Sequence, residues 1–548
     1  MSDPRCYDVV VLGGGANGAG TARDCAMRGL SVLLLEKRDL AAGASGASSG
    51  MIHGGIRYML SDRKVTELAC RDAGYIRRIA PHLVFRIPFL MPFASRAEEA
   101  TLAERAAWYA TEVYVGTYDL YQPLKGGKPS TRLTPAEMYA LEPSLRPGLG
   151  GAVTLDEWGI DGPRLCLLNA LSAEAHGAEV RTWTEATEIQ RHEGRVVGVR
   201  WRDALTGEHG EARAGAVLNA TGAWSPLWGR ANGVDVPMRP GKGVHLSLDR
   251  RFSNYGIICK AVDGRQMFLM PHEDESIIGT TDDDFYGDPD DLEATSDEVG
   301  YLLEGVESLV PSVRGARVTR AWSGVRTTLY EYGRTEDALS REHQLLDHAA
   351  EGAAGLFSFV GGKLASYRAQ SQEIADQLVA WLGKAAAPCR THEEPLPGGD
   401  AVPDPRELAS RHGVPEPVAR RIVFRHGSRA RDLLQLLDDD PRLKLAVCRD
   451  EGILAAEVVF VARHEKVRRL EDLRRRCRLA IAGCGGLDCA RVAGQLVARE
   501  LGWDADRLRA ELRELLEANW RERRTVLDGW QLAEEELLRA VHRGLGGL

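Results

Sequence analysis

The chain has 548 residues, with 70 Lys and Arg against 79 Asp and Glu, a net charge of −9 and a pI near 5.9. That balance excludes a dedicated nucleic-acid binder, whose surface is normally basic. An apolar content of 44% and a charged content of 27% are those of an ordinary globular protein, and no apolar run reaches the roughly 18 residues that a spanning helix needs. At about 150 residues per domain, the length predicts two to four domains. The opening run MSDPRCYDVVVLGGG has neither the basic start nor the apolar core of a signal peptide. A cytoplasmic protein is therefore expected, either free or peripheral on the cytoplasmic face of a membrane. Ten scattered cysteines do not form a disulfide framework.

In chain order, Val9–Leu12 reads as a buried parallel strand. A glycine loop, an amphipathic helix and a second buried strand at Val32–Leu35 complete a βαβ unit. GRVVGVRW at 194–201 reads as a strand, VLNATGAWS at 217–225 as a buried strand entering a tight glycine turn, and MFLMPHEDESIIGTT at 267–281 as an antiparallel hairpin. Residues 387–405, APCRTHEEPLPGGDAVPDP, concentrate proline and glycine and are the linker candidate. Residues 1–386 are then a catalytic region, with a discontinuous cofactor domain and a substrate domain largely within 80–345. Residues 406–548, rich in Arg, Leu, Ala and Glu, form a helical domain.

Gly13, Gly15 and Gly18 fit the G-x-G-x-x-G pattern between a strand and a helix. The first glycine permits the tight turn, the second lets the backbone approach a pyrophosphate, and the third lets helix and strand pack closely. Ala16 and Asn17 open the helix, whose free N–H groups favour phosphate. Glu36, 23 residues after Gly13, ends the second strand where an acid bonds ribose hydroxyls. The pattern does not separate NAD from FAD, but its place near the N-terminus and the later strand ending in Ala220 and Gly222 favour FAD.

The run LGGGANGAGTARDCAMRGLSVLLLEKRDLAAGASGASSGMIHGGIRYM is similar to the FAD-dependent sn-glycerol-3-phosphate dehydrogenases, within the D-amino-acid-oxidase-like flavoproteins. PGKGVHLSL at 240–248, IIGTTDDDFYGDP at 277–289, WSGVRTTL at 322–329, LSREH at 339–343 and GGKLASYR at 361–368 follow in the family's order, and EVVFVARHEKVRRLEDLRRRCRLA resembles its helical domain. The resemblance implies an α/β fold: a two-dinucleotide-binding-type FAD domain, an antiparallel-sheet substrate domain and a C-terminal all-α domain. It implies oxidation of sn-glycerol 3-phosphate to dihydroxyacetone phosphate by hydride transfer to FAD, with electrons passed to quinone or an electron-transfer subunit. It also implies a homo-oligomer that contacts the membrane peripherally.

Such a reaction needs a base, and His53 in IHGG and His245 in GVHL are the two candidates, with His53 preferred because its motif adjoins the cofactor. It also needs fixed planar charge for the phosphate, for which Arg57, Arg326 and Arg341 fall in matched motifs. Lys363 is placed beside the flavin, as a cation favouring its reduced anion. The cofactor set further includes Lys37, Ser45, Ser48, Ser49, Gly54, Gly55, Ala186, Gly362 and Leu364. Single-chain respiratory members carry lysine where this chain has Gly50, whereas the anaerobic type, built of several chains, has glycine, so direct quinone reduction is the less secure part of the resemblance. An amine or amino-acid oxidase of the same fold, and a glycerol-3-phosphate oxidase using oxygen, are the alternatives.

Some relatives hold a [2Fe–2S] cluster through C-x-C and C-x4-C in the C-terminal domain. Here Cys484 and Cys489 keep the second spacing, but Cys448 is followed by Asp450 in place of the second cysteine. Asp450 or Cys477 would have to complete the four ligands. The other reading of these cysteines is helix packing. The apolar, proline-broken APHLVFRIPFLMPF at 80–93 and the basic runs ARRIVFRHGSRAR and HEKVRRLEDLRRRCR are the segments considered for lipid contact.

Overall fold

The computed structural model describes residues 5–60, 62–95, 99–333 and 342–546. Its first sheet has eight strands. The path runs His343–Asp347, Leu356–Gly361, His209–Asn219, Cys6–Leu12, Val32–Leu35, Glu179–Arg181, and the hairpin Thr184–His192/Arg195–Asp203 joins it through the strand at 209. Cys6–Leu12 lies parallel to both its neighbours, with Val9 opposite Val32 and Val10 opposite Val217. Alternation along this strand serves two cores. Val9 and Val11 face the helices Ala16–Met27, Gly162–Ala175 and Tyr367–Leu382, while Val10 and Leu12 face the side covered by the hairpin. Because both faces are covered, the strand reads as one continuous apolar run.

The second sheet has nine strands and is mostly antiparallel. Arg239–Leu248 pairs with Val318–Thr328 along nearly its whole length and with Glu275–Gly279 on its other edge. The expected hairpin is present as Gln266–His272 against Glu275–Gly279. The segment at 80–93 supplies Val84–Pro92, an inner strand between Ala152–Ile160 and Gly256–Lys260. Its apolar residues are therefore sheet core, which removes it as a lipid-contact segment.

Helices from Pro405 onward pack around a separate apolar core, accompanied by the short ribbon Ala446–Cys448/Ile453–Leu454, so the domain is not purely helical. The stretch before it is pinned to the catalytic part. Arg23 donates to the carbonyls of Thr391 and Glu394, and Leu396 is buried. The helical domain is joined to the rest by buried ion pairs. Arg164 meets Glu465 at 2.5 Å with both side chains fully buried, Arg475 and Arg476 converge on Asp39, and Arg425 and Arg478 reach Glu273 and Glu275. Burial by itself would raise Asp39, but the two guanidinium groups hold its carboxyl below the usual range. The run LRRRCR is thus interface material rather than a lipid-facing surface.

Candidate functional site

The glycine loop is built as its spacing predicts. Gly13 has φ +104°, and a Cβ there would stand 2.4 Å from the Ala220 carbonyl oxygen. A Cβ on Gly18 would stand 1.9 Å from the Gly13 carbonyl oxygen. No side chain fits at either point, so strand, loop and helix close onto one another only with glycine. The Glu36 carboxylate accepts from the N–H groups of Gly14 (2.6 Å) and Arg38 (2.8 Å), and burial raises its proton affinity. Ser45 Oγ accepts from the Ala16 N–H at 2.9 Å. These residues open onto a cavity of about 400 Å³ that Asn17, Lys37, Ala186, Ala220 and Gly222 also line. Asn17 Oδ1 is buried there with no partner among the described residues. Lys37 is drawn to the rim by Asp290 (2.8 Å) and the Trp224 ring. A cleft with backbone donors, cleared of Cβ atoms and with an orphaned amide oxygen, fits a dinucleotide.

The floor beside this cavity is one face of the second sheet. Gly243 and Gly324 are register partners there, as are Gly241 and Arg326, and His245 and Trp322. The missing side chains make room: a Cβ on Gly243 would lie 2.5 Å from the Arg326 guanidinium, and one on Gly279 would lie 2.4 Å from the His245 ring. Arg326 donates to the Thr281 carbonyl (3.1 Å), Asp282 (3.2 Å) and Thr280 Oγ1 (3.0 Å). His245 shares a hydrogen bond of 2.8 Å with Ser49 Oγ through Nε2 and stacks on Trp322 at 5.3 Å. Burial pushes its pKa down to about 3, with Arg326 and Arg320 adding to the effect, so the ring is neutral.

The segment 47–59 passes between cavity and floor. Gly54 is enclosed: a Cβ would strike Tyr118 Oη and Cys70 Sγ at 2.1 and 2.2 Å. Its N–H donates to Glu157, which sits in a buried network with Lys125 (2.5 Å) and Tyr118 Oη (2.6 Å). Gly55, at φ +76°, turns the chain toward Lys363, whose ammonium stands 4.0 Å over the Tyr58 ring. His53 is half-buried at the start of this turn, and Arg57 is exposed beside Tyr58. Gly362, at φ +84°, and Leu364 lead into the helix Tyr367–Leu382. Ser48 Oγ donates to the Ser45 carbonyl, holding the loop in shape. Arg341 lies outside the described residues. Lys125, Glu157 and Tyr118 escape a reading of the sequence because they lie far from the glycines they support. Tyr58 and Trp322, by contrast, stand inside the motifs IRYM and WSGV.

The cysteines behave differently from one another. Cys448, Cys484 and Cys489 come together, and hydrogen bonding from Cys484 and Cys489 pushes the Cys448 thiol down to about 3. Burial, followed by the neighbouring Cys484, raises the Asp450 carboxyl. Cys477 is fully buried elsewhere and donates to the Leu473 carbonyl at 3.3 Å, so it does not supply a fourth ligand. Among the described residues, no group of three or more His, Cys, Asp or Glu is arranged to hold a metal ion. The set falls short of the four thiolates of such a cluster, and no step below depends on one.

Residues 8–368 match the family model described as FAD dependent oxidoreductase, and residues 389–508 match the C-terminal domain of alpha-glycerophosphate oxidase. A Haloferax volcanii protein, named as one of the subunits of an anaerobic glycerol-3-phosphate dehydrogenase, is 34% identical, over 97% of this chain and 89% of its own length. An Escherichia coli K12 protein, also named as one of the subunits of an anaerobic glycerol-3-phosphate dehydrogenase, is 34% identical, over 100% of this chain and 98% of its own. The chain belongs to the FAD-dependent glycerol-3-phosphate dehydrogenase family. A crystal structure of a Bacillus halodurans glycerol-3-phosphate dehydrogenase complexed with FAD shares the fold, with TM-score 0.75 at 23% identity over 96% of this chain and 97% of that one. This family member is a flavoprotein, and the cleft has the features that fit such a dinucleotide. No helix among the described residues is long and apolar enough to cross a membrane.

Proposed function

We propose that this flavoprotein oxidises the C2 hydroxyl of sn-glycerol 3-phosphate to the ketone of dihydroxyacetone phosphate and passes the electrons to a partner protein at the cytoplasmic face of the membrane. The observation that carries the reading is Arg326, set over a glycine-cleared floor between the cofactor cleft and His245. The names of the two relatives agree with the substrate, and their designation as subunits agrees with an external electron partner. So does Gly50, where the single-chain respiratory members that this chain resembles carry lysine.

Bound FAD supplies a hydride acceptor. The chain supplies the rest. Arg326, with Arg57 and Arg341, holds the phosphate by charge-assisted hydrogen bonds. His53 takes the hydroxyl proton. His245 is the poorer base, because a ring whose pKa is near 3 has little affinity for a proton at neutral pH. It serves instead as a neutral wall that fixes Ser49. Lys363 places positive charge at the end of the cleft next to Tyr58.

Anaerobic addition of sn-glycerol 3-phosphate to the FAD-loaded protein is expected to bleach the flavin absorbance, while glycine and other amino acids leave it unchanged. Bleaching by amino acids alone would replace this reading with that of an amino-acid oxidase. Rapid peroxide release in air would assign oxygen as the acceptor.

A further inference from the structure

On the far side of the Ser45–Gly50 loop, away from the dinucleotide cleft, lies a second cavity of about 240 Å³. The substrate-domain strand Val318–Thr328 forms one wall and the C-terminal helical domain forms the other. Arg320 and Arg474 face each other across it and share a single carboxylate, Glu522, at 3.8 and 2.6 Å. Two other acids that line the cavity are engaged elsewhere: Glu273 accepts from Arg425, and Asp161 accepts from the Arg164 N–H. Two buried guanidinium groups form ion pairs with one carboxylate only, while Glu275 acts on Arg320 and Glu471 on Arg474 from beyond ion-pair distance, an arrangement that is expensive in a low-dielectric interior. Arg320 is the clearer case. Its side chain is 13% exposed, it stacks over Trp322 at 4.3 Å, and none of its five N–H donors makes a hydrogen bond with a described residue.

Three further polar atoms lining this cavity are buried without a partner among the described residues: Arg474 Nε, Ser323 Oγ and His272 Nδ1. Native interiors leave few such atoms unsatisfied, and each calls for a reason. Here they gather at one place from two domains and approach from several directions. A planar carboxylate offers two oxygens in one plane, whereas a phosphoryl group offers three in a tetrahedral spread, which suits donors arriving from separate walls.

We propose that this interdomain cavity is a second anion site, which takes a phosphoryl group as inorganic phosphate or as a small phosphate monoester. The site is distinct from the substrate floor. Arg320 and Arg326 stand at opposite ends of the same strand face, with Trp322 between them and His245 stacked on Trp322. Ser49, which bonds His245, also lines the second cavity. An anion bound there therefore contacts the residues that hold the wall of the substrate site, and it ties the helical domain to the sheet through Arg474.

The test is equilibrium dialysis of the FAD-loaded full chain against inorganic phosphate, with thermal unfolding followed in parallel. The wild-type protein is expected to bind phosphate at two sites. Arg326→Ala is expected to lose one of them and to keep the phosphate-dependent rise in unfolding temperature. Arg320→Met and Arg474→Met, each checked for full FAD content, are expected to weaken the other site by about tenfold or more, in line with loss of a charge-assisted pair, and to reduce that rise to the part contributed by the substrate site. Ser323→Ala and His272→Gln, which remove neutral donors only, cover the case in which the arginine variants fail to fold; they are expected to weaken the same site by a smaller factor. A single phosphate site abolished by Arg326→Ala, or unchanged phosphate binding in all four cavity variants, overturns the proposal. Parallel dialysis against glycerol 2-phosphate and citrate separates the sources: a site that takes citrate but neither phosphate species also overturns it.

Discussion

The dinucleotide cleft and the interdomain cavity lie on either side of the same Ser45–Gly50 loop, yet they are shaped by different forces. The cleft is made of backbone. Gly13 and Gly18 leave no room for a Cβ, the helix start offers N–H groups, and the acid at the strand end, Glu36, is occupied by the N–H groups of Gly14 and Arg38. The domain interface is made of long charged side chains: Arg164, Arg475, Arg476 and Arg478 against Glu465, Asp39 and Glu275. Backbone shape is encoded by neighbours in sequence, whereas ion pairs across domains join residues hundreds of positions apart. The first kind of site is therefore rigid and sensitive to any added atom, and the second is sensitive to the loss of one charge.

Five substitutions probe that contrast, from the largest expected effect to the smallest. Gly18→Val places carbon where the Gly13 carbonyl oxygen already lies, and the purified variant is expected to contain no flavin by its visible spectrum. Retention of stoichiometric FAD would show that the cradle tolerates side chains and that the contrast is false. Lys125→Met tests the charged kind of construction beneath Gly54. It leaves Glu157 buried with only Tyr118 and a backbone N–H, and urea unfolding is expected to report a loss of about 3–5 kcal/mol. A combined Lys125→Met/Glu157→Leu variant is expected to regain much of it, because the uncompensated charge and not the lost contact is the source of the penalty.

Arg326→Ala should leave FAD content unchanged and raise KM for sn-glycerol 3-phosphate by about a hundredfold, as loss of a charge-assisted phosphate contact does. Steady-state kinetics on the flavin-loaded variant measure this, and an unaltered KM removes Arg326 from substrate binding. The smallest effect near neutral pH is the pH response of His245. Its pKa falls from 6.5 to about 3 on folding, so between those values the unfolded chain binds more protons than the folded one. The stability associated with the neutral ring is complete above pH 6.5 and is lost as the pH falls toward 3, at up to about 1.4 kcal/mol per pH unit. His245→Asn is expected to flatten that part of the stability profile; an unchanged slope would mean that the ring is not held neutral.

The legible parts of the molecule were those in which chemistry and sequence spacing coincide. The βαβ unit, the hairpin at 266–279 and the residues of the cofactor cleft follow from apolar periodicity and glycine placement, because turns and strand–helix packing are local. The segment 80–93 was less legible: its apolar run is compatible with a surface as well as with the inner strand it forms, and only its pairing with Ala152–Ile160 decides. The basic run at 464–478 misleads for a related reason. Charge in a sequence reads as exposure, but Arg476 is 1% exposed because Asp39, more than four hundred residues earlier, meets it. Cys477 could be set beside the other cysteines by sequence proximity, yet its helix turns it toward Leu473.

By itself the sequence determined the cofactor class, the strand–loop–helix that receives it and the family to which the chain belongs. The strand–loop–helix rests on short-range rules, a left-handed or Cβ-free backbone at Gly13 and Gly18 and an acid at the end of the next strand, whereas the cofactor class and the family rest on motifs spread along the chain that resemble the family's. Only the tertiary structure decided that His245 is neutral, that Glu157 and Lys125 support Gly54, and that arginines of the helical domain meet Arg320 over an anion-sized cavity. Burial and Coulomb energy depend on what lies within a few ångströms in space, and the chain brings those groups together only once both sheets and the helical domain have packed.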